Sequence, residues 1–215
     1  MQKTNHLFMA LPAAVVLALG GCGRDVDSSS SRLEISSTLA SATSGSSRSI
    51  KACFTANKTV NYALMALNAP SDGIVPDKST TGPMIYKNQS VTGQTMSALS
   101  GNKIYITVAY WTVTNDDVTS IAEVNYDGTA VVDDTFYPQD MRPGQSVTDS
   151  KNNVTTFIGF ETLTLAGKTF SNTCHFKGPN TQGDQTEVWY APGYGMVKQT
   201  INGSTVQYNG DLENI

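Results

Sequence analysis

The chain has 215 residues, of which 14 are Lys or Arg and 18 are Asp or Glu, so its formal net charge is −4. Charged residues make up only 15% of the chain, and its Lys and Arg residues form no cluster. Because nucleic-acid binding is driven largely by cationic contacts to phosphate, this composition argues against a nucleic acid as partner.

Residues 1–21 have the layout of a secretory signal peptide. A polar stretch with one Lys precedes an uncharged segment from Leu7 to Leu19, and this segment contains Pro12. It is shorter than the roughly 20 apolar residues that a transmembrane helix needs. A positive start, a short apolar run and small residues at its end are the features of a signal peptide that is removed on export.

Small residues lead directly into a cysteine in the sequence Leu19-Gly20-Gly21-Cys22. This sequence resembles the lipobox of bacterial lipoproteins, which implies cleavage between Gly21 and Cys22 and acylation of Cys22 by chains such as palmitate. Several acyl chains anchor a protein far more stably than one chain does. In lipoproteins an Asp directly after the cysteine favours the inner membrane, so Gly23 at that position implies the outer membrane. An ordinary signal peptide with a chance cysteine is the alternative.

Residues 22–49 are dominated by serine and contain few apolar residues. Such a composition buries too little surface to offset chain entropy, so this segment is predicted to be a flexible tether that starts at the acylated cysteine. A flexible chain of this length spans roughly 30 Å root-mean-square. A serine-rich binding or modification segment is the alternative.

Residues 50–215 are predicted to form a single, mainly β domain with antiparallel strands and little helix. The clearest strand signal is the alternation within residues 103–114. It gathers four apolar residues on one face, and we predict that this face points inward. These residues are Ile104, Ile106, Val108 and Tyr110.

Short sequences typical of tight turns predict β-hairpins. Asp127-Gly128 and Asn202-Gly203 supply the positive φ angles of a two-residue type I′ turn, and a third turn is predicted near Ala166-Gly167. Residues 69–102 are rich in Pro, Gly, Ser and Asp, so most of this stretch is predicted to be irregular. Because uninterrupted loops of this length are uncommon, we expect a short hairpin within residues 84–96.

Acylation of Cys22 would leave two cysteines, Cys53 and Cys174, one near each end of the β domain. Since disulfides persist in the oxidising compartments that exported proteins reach, we predict that these two cysteines pair. Alternation places Cys174 on the same face as Phe170 and Phe176, which suits an inward, structural bridge. Two buried thiols that act as small apolar groups are the alternative.

The sequence shows no catalytic constellation. After the signal peptide the chain has one histidine, His175, and alternation turns it away from the face that holds Cys174. The chain has no G-x-S-x-G or H-E-x-x-H motif and no C-x-x-C pair. We therefore expect no catalytic residue, no metal site and no cofactor, and hence a protein that is not an enzyme.

The C-terminal third of the chain resembles a known group of proteins. Seven residues follow the pattern W-Y-x-P-G-x-G-x-V-K: Trp189, Tyr190, Pro192, Gly193, Gly195, Val197 and Lys198. With the sequence around it, this segment resembles bacterial periplasmic and lipoprotein domains of unknown function related to the LolA/LolB lipoprotein-carrier superfamily. The resemblance implies a strongly curved, half-barrel or barrel-like sheet whose concave face holds acyl chains.

The expected function is that of a membrane-anchored lipoprotein of the cell envelope whose β domain binds an apolar ligand or an envelope component. Its expected partners are the membrane, reached through the acyl chains, and a lipid or an envelope protein. A structural or interaction lipoprotein with a solid core, which recognises a protein partner, is the alternative. A continuous apolar cavity would favour the first interpretation, and a filled interior would favour the second.

Overall fold

The computed structural model describes residues 48–68, 76–100, 102–124, 129–131, 134–180 and 183–213. The predicted signal peptide, the cleavage site at Gly21 and Cys22, and nearly all of the predicted tether lie outside these residues. The predicted turn at Asp127-Gly128 lies outside them as well. The fold described below is that of the β domain.

The described residues form one short helix and thirteen strands. The helix, α1, is Ile50–Phe54. The strands are β1 Val60–Leu67, β2 Lys78–Tyr86, β3 Gln89–Ser100, β4 Lys103–Val113, β5 Asp117–Val124, β6 Ala130–Val131, β7 Phe136–Pro138, β8 Ser146–Thr148, β9 Val154–Leu165, β10 Lys168–Pro179, β11 Gln185–Ala191, β12 Gly195–Ile201 and β13 Ser204–Asp211. The prediction of a mainly β domain with little helix is confirmed.

The strands form a single antiparallel sheet in the order β6-β5-β4-β3-β2-β1-β13-β12-β11-β10-β9-β8, and β7 pairs with β5 beside this path. Consecutive strands therefore pair along most of the chain, and β13 returns to pair with β1. Strands β7 and β8 lie near the two ends of the sheet and contact each other. The sheet thus curls into a nearly closed barrel, and the predicted antiparallel, strongly curved sheet is confirmed.

Tight hairpins with two-residue turns connect several strands. In the turns Lys87-Asn88, Ala166-Gly167 and Asn202-Gly203, both central residues have positive φ angles between 46° and 87°. This geometry is that of a type I′ turn, whose twist matches the twist of the flanking strands. The turns predicted near Gly167 and at Asn202-Gly203 are confirmed, and Lys87-Asn88 closes the hairpin expected within residues 84–96.

The short helix α1 fills part of the barrel interior. It contacts β4 and β5 on one side and β10 and β11 on the other. The centre of the Phe54 ring lies 5.6 Å from that of Trp111 and 4.6 Å from that of Tyr190. Phe54 therefore connects strands that are far apart in the order of the sheet.

Buried apolar side chains form two clusters. The first surrounds α1 and contains Ile50, Cys53, Phe54, Trp111, Val118, Met141, Phe157, Cys174 and Phe176. The second joins β1 to the strands from β9 to β13 and contains Tyr62, Leu64, Leu165, Phe170, Trp189, Ala191, Met196, Val197 and Tyr208. Since full burial of one large apolar side chain contributes about 1.5 to 3 kcal/mol, these clusters supply much of the free energy that favours folding.

The prediction of which face of β4 points to the interior is wrong. The face that points outward is the one that holds Ile104, Ile106, Val108 and Tyr110. Thr107 and Trp111 are 6% and 4% exposed, whereas Ile104 and Ile106 are 70% and 48% exposed. Both faces carry large apolar residues, so alternation separates the faces without saying which one is inside. The direction is set by Trp111, whose indole ring packs on Phe54.

Two long strands, β2 and β3, occupy much of the stretch that was predicted to be mostly irregular. Their inner positions hold polar residues, among them Ser79, Thr81 and Gln94, each only 1% exposed. Alternation of apolar and polar residues is the main sequence signal for a strand. Polar residues at inner positions remove that signal, and this is the reason for the error.

Lys168 connects the tip of the β9–β10 hairpin to the end of β13. Its ammonium group lies 2.5 Å from Asp211 Oδ2 and donates a hydrogen bond to the Tyr194 hydroxyl. It also lies 4.2 Å from the centre of the Tyr194 ring and 5.6 Å from that of Tyr208. Desolvation lowers the pKa of Lys168, but hydrogen bonds to Asp211 and Tyr194 outweigh this effect and raise the pKa to about 12. For Asp211, desolvation raises the pKa, and the hydrogen bond from Lys168 more than reverses it.

We expect the Lys168→Met variant to lose about 1 kcal/mol of unfolding free energy near neutral pH, because exposed ion pairs and cation–π contacts are each of this order or weaker. Because folding raises the pKa of Lys168, its contribution to the unfolding free energy is fully present below pH 10.5. This contribution is lost as the pH rises through about 12. Because folding lowers the pKa of Asp211, its contribution to the unfolding free energy is fully present above pH 3.8. This contribution is lost as the pH falls through the lower pKa that Asp211 has in the folded state. Urea unfolding of the wild-type chain and of the Lys168→Met variant across this pH range measures the difference in their unfolding free energies. A difference that does not change with pH would contradict the interaction between Lys168 and Asp211.

Candidate functional site

Cys53 in α1 and Cys174 in β10 form a disulfide, so the predicted pairing is confirmed. Their Cα atoms are 6.1 Å apart, and the residues are 121 positions apart in the sequence. Both are at most 1% exposed. The bond therefore fixes the helix inside the barrel to the wall of the barrel.

The residues of the W-Y-x-P-G-x-G-x-V-K segment lie on β11, on β12 and in the turn between them. Tyr190 points to the interior, where its ring contacts Phe54. Trp189, its neighbour on the same strand, points to the opposite face. Pro192 and Gly193 lie in the predicted turn, in which Gly193 has a φ of 76°. The segment is brought together in space, but its side chains do not converge on one site.

The remaining residues of this segment, Gly195, Val197 and Lys198, lie on β12. Val197 is fully buried, and Lys198 points to the other face. Gly195 has a φ of 72°, and a Cβ atom there would lie 2.9 Å from Gln94 Oε1. Glycine suits this position because it tolerates both the left-handed backbone and the close approach.

A buried hydrogen-bond network lies where β3 meets the start of β12. Gln94 Nε2 donates to the Tyr62 hydroxyl at 2.7 Å and to Ser79 Oγ at 2.8 Å. Gln94 Oε1 accepts from the backbone N–H of Met196 at 2.9 Å, and the Tyr62 hydroxyl donates to the Met196 carbonyl. Burial raises the pKa of Tyr62, so this hydroxyl stays protonated. No local sequence pattern indicates this network, because Tyr62 and Met196 are 32 and 102 positions away from Gln94 in the sequence.

A row of side chains crosses β10, β11 and β12 on the face opposite the interior. His175, Trp189 and Lys198 are register partners in this row, which we call the polar ladder. The His175 ring stacks on the Trp189 ring at a centroid distance of 4.1 Å, and Lys198 Nζ lies 4.2 Å from the centre of the Trp189 ring. Glu161 Oε1 forms a hydrogen bond with His175 Nδ1 at 2.7 Å, and Glu161 Oε2 accepts a hydrogen bond from Trp189 Nε1 at 2.9 Å. His175 thus lies on the face opposite Cys174, as alternation predicts, and it is buried there by its neighbours.

The groups of the polar ladder largely satisfy one another. Desolvation raises the pKa of Glu161, but hydrogen bonds from Trp189 and His175 outweigh it and lower this pKa. Trp189 is 6% exposed, so its ring offers little free surface. His175 Nε2 is buried without a hydrogen bond, and Glu187 Oε2 lies 3.5 Å from it. The ladder therefore stiffens three strands rather than presenting reactive groups.

A shallow polar cleft of about 200 Å³ adjoins the polar ladder. It is lined by Lys177, Gln185, Thr186, Glu187, Thr200, Asn202 and Gly203. Lys177 Nζ lies 3.0 Å from Glu187 Oε1, and this hydrogen bond lowers the pKa of Glu187. The cleft is shallow, and the ion pair in its lining does not suit an acyl chain.

Three exposed aliphatic side chains adjoin one another on the outer face of the β3–β4 hairpin. Leu99 is 64% exposed, Ile104 is 70% exposed and Ile106 is 48% exposed. Leu99 and Ile104 are register partners, and Ile106 lies two positions farther along the same face. We call these three residues the aliphatic strip. Adjoining exposed apolar side chains are typical of a surface that binds another molecule.

The described part of the chain contains no group of three or more His, Cys, Asp or Glu side chains that could hold a metal ion. Within the same residues, no helix is long and apolar enough to cross a membrane. The polar cleft and the aliphatic strip are two candidate sites on the described surface.

Comparison with known proteins assigns no family. No family model matches the chain, and no curated protein matches it. One solved structure is similar. It is a protein of Bacteroides fragilis described as exported and as having a YmcC-like fold, with 14% identity and a TM-score of 0.39 over 74% of this chain and 99% of that chain. So distant a likeness supports no functional inference, and the resemblance to the LolA/LolB superfamily stays a prediction.

Proposed function

We propose that this chain is a lipid-anchored, non-enzymatic protein of the bacterial cell envelope whose β domain binds an envelope component through its outer surface. The lipobox-like sequence that ends in Cys22 supports the anchor, and Gly23 after it supports the outer membrane rather than the inner one. The Cys53–Cys174 bond supports export, since disulfides persist outside the reducing cytoplasm.

The packed aromatic cluster around α1 in the barrel interior is the observation that favours surface binding over enclosure of an apolar ligand. Phe54 occupies the space between β4 and β11, and Phe157 and Phe176 are 0% and 2% exposed within the same cluster. An acyl chain in this space would have to displace these rings. Loss of one buried aromatic ring costs about 3 to 5 kcal/mol, so displacement is unfavourable. We therefore propose the alternative function, that of an interaction lipoprotein with a solid core.

The aliphatic strip is the surface to which we assign the binding. The polar ladder is occupied by its own contacts, and the polar cleft contains the ion pair between Lys177 and Glu187. The strip, in contrast, exposes aliphatic surface whose removal from water is favourable, at roughly 25 cal/mol per Å². Binding at the strip requires no rearrangement of the core.

We expect Cys22→Ala to abolish labelling of the chain by a fatty-acid probe, because Cys22 is the predicted acceptor of the acyl chains. The other two cysteines are bonded to each other and buried, so they offer no substitute acceptor. Labelling in growing cells, followed by immunoprecipitation and a non-reducing gel, measures acylation and the disulfide together. A Cys22→Ala chain that is still labelled would overturn the proposed anchor.

Enclosure of an apolar ligand makes a different prediction. The Cys22→Ala chain, incubated with envelope lipids, would then retain one lipid per chain in native mass spectrometry. It would also retain that lipid when Leu99 and Ile104 are replaced by serine, because those residues lie outside the barrel. We expect no such adduct, and its reproducible detection would contradict binding through the outer surface.

A further inference from the structure

We propose that the aliphatic strip binds the surface of a lipid bilayer, so that the domain contacts its membrane at a second place besides the anchor. This inference rests on the proposed function, which supplies the anchor and the tether, and it names the occupant of the strip. Leu99, Ile104 and Ile106 enter the boundary between headgroups and acyl chains. Lys78 and Lys103, beside them, contact lipid phosphates.

The strip lies at the end of the β3–β4 hairpin. Ser100 pairs with Lys103 at the last position of the hairpin, and Leu99 pairs with Ile104 at the position before it. Both aliphatic side chains of this pair are more than 60% exposed, at 64% and 70%. A projecting aliphatic pair can enter the bilayer interface without a matching pocket, as apolar side chains of interfacial segments do.

Two exposed lysines flank the strip. Lys78 lies on the same face as Ile106, in register with it through one residue of β3. Lys103 lies next to Ile104 at the end of the hairpin, where alternation turns its side chain to the other face of β4. Among the described residues, neither lysine has an ion-pair partner. Asp77 is the acidic neighbour in the sequence, so these three residues sum to a positive charge in a chain that is negative as a whole. Positive charge beside aliphatic tips is complementary to anionic headgroups.

The residue types favour a bilayer over a protein partner. Binding energy at protein interfaces is concentrated in Trp, Tyr and Arg side chains. The strip consists of one Leu and two Ile, and its flanking charges are Lys. Tyr110 lies on the same face of β4, but its ring stacks on that of Tyr86 at a centroid distance of 4.4 Å. The aromatic surface on this face is therefore largely engaged within the chain.

Because the predicted tether keeps the domain close to the bilayer, even a weak contact between the aliphatic strip and the bilayer becomes populated. The predicted flexible segment between the anchor and α1 spans roughly 30 Å root-mean-square. A domain held at this distance meets the bilayer at a high effective concentration, so a contact that is weak in free solution becomes populated. Three aliphatic side chains and two lysines suit such a second, reversible contact.

The test uses the chain from residue 22 onward with Cys22→Ser, so that no acyl chain contributes to binding. Its flotation is measured with vesicles of phosphatidylethanolamine and phosphatidylglycerol, and in parallel with vesicles of phosphatidylcholine alone. The strip variant is Leu99→Ser with Ile104→Ser. The matched control is Ile85→Ser, because Ile85 is 71% exposed and lies on β2, where it pairs with Ser90 at the end of β3 that is far from Leu99. Near-ultraviolet circular dichroism confirms that each variant is folded.

We expect flotation with the anionic vesicles, a loss of about tenfold or more in the partition coefficient for the strip variant, and no loss for Ile85→Ser. Lys78→Gln with Lys103→Gln should weaken flotation several-fold, as should about 0.5 M salt, which screens headgroup charge. Failure of the parent chain to float, or equal flotation of the strip variant, would overturn the inference. Crosslinking of position 104 to a single protein in cells, without vesicle binding, would also overturn it. None of these results touches the acylation of Cys22, which the labelling experiment tests separately.

Discussion

The double variant Cys53→Ala/Cys174→Ala should lose about 2 to 5 kcal/mol of unfolding free energy, the usual range for removal of a native disulfide. The bond closes a loop between residues 121 positions apart, and the entropic benefit of a crosslink grows with loop length. The helix that carries Cys53 has five residues and no side-chain cap at Ser49. A helix this short is not stable alone, so without the bond Phe54 is held in the barrel by packing only.

Urea unfolding of the oxidised chain and of the double variant, followed by tryptophan fluorescence, measures this loss. Trp111 is a suitable reporter because its ring contacts Phe54. A reducing agent should destabilise the wild-type chain and leave the double variant unchanged, which serves as the control. Equal unfolding midpoints for the oxidised wild-type chain and the double variant would show that the bond does not stabilise the domain.

Replacement of Gln94 by leucine should lower the unfolding free energy by about 2 to 4 kcal/mol. The change leaves the buried Met196 N–H without its acceptor and removes the donor to Ser79 Oγ and the Tyr62 hydroxyl. A buried polar group that loses its partner costs about 1 to 3 kcal/mol. Leucine is similar in size to glutamine, so the loss reports hydrogen bonds more than packing.

Gln89→Leu is the matched control for this variant, because Gln89 lies on the same strand and is exposed. Surface substitutions of this kind usually change stability by at most about 0.5 kcal/mol. Urea unfolding compares the two variants, and hydrogen exchange at the Met196 amide should accelerate in Gln94→Leu alone. If Gln94→Leu is as stable as Gln89→Leu, the network is not a source of stability.

The local turns of the fold are predictable from sequence because they depend on few residues. Asn202, Gly203 and Gly167 adopt positive φ angles that Asn and Gly accommodate readily, whereas Ala166 adopts one without such a preference. The turn at Lys87-Asn88 lacks glycine, and only the need for a hairpin in a long stretch predicts it. Antiparallel pairing of neighbouring strands then follows from short connections.

The direction of the strand faces is less predictable. Ile104 and Ile106 are more hydrophobic than Thr107, yet Thr107 is the buried residue. The interior next to β4 is filled from elsewhere in the chain by Phe54, so it accepts smaller and more polar residues there. Local alternation contains no information about a helix that is far away in sequence.

The candidate sites also differ in how far the sequence predicts them. The Cys53–Cys174 pair is predictable from the cysteine count and from alternation around Cys174. The aliphatic strip is not, because Ile104 and Ile106 were assigned to the interior by their hydrophobicity and Leu99 lies in the stretch that was predicted to be mostly irregular. The Gln94 network depends on the approach of β12 to β3, which no local pattern indicates.

The attachment of α1 has a mechanical consequence. The predicted tether joins the domain immediately before this helix, so a pull from the membrane acts first on α1. Through Cys53 and Cys174 the load passes to β10, which has a paired strand on each side. A strand at the edge of a sheet can be peeled away one hydrogen bond after another, whereas a paired inner strand shares the force among many. We therefore expect a domain that is anchored as proposed to withstand tension at its N-terminus without loss of its sheet.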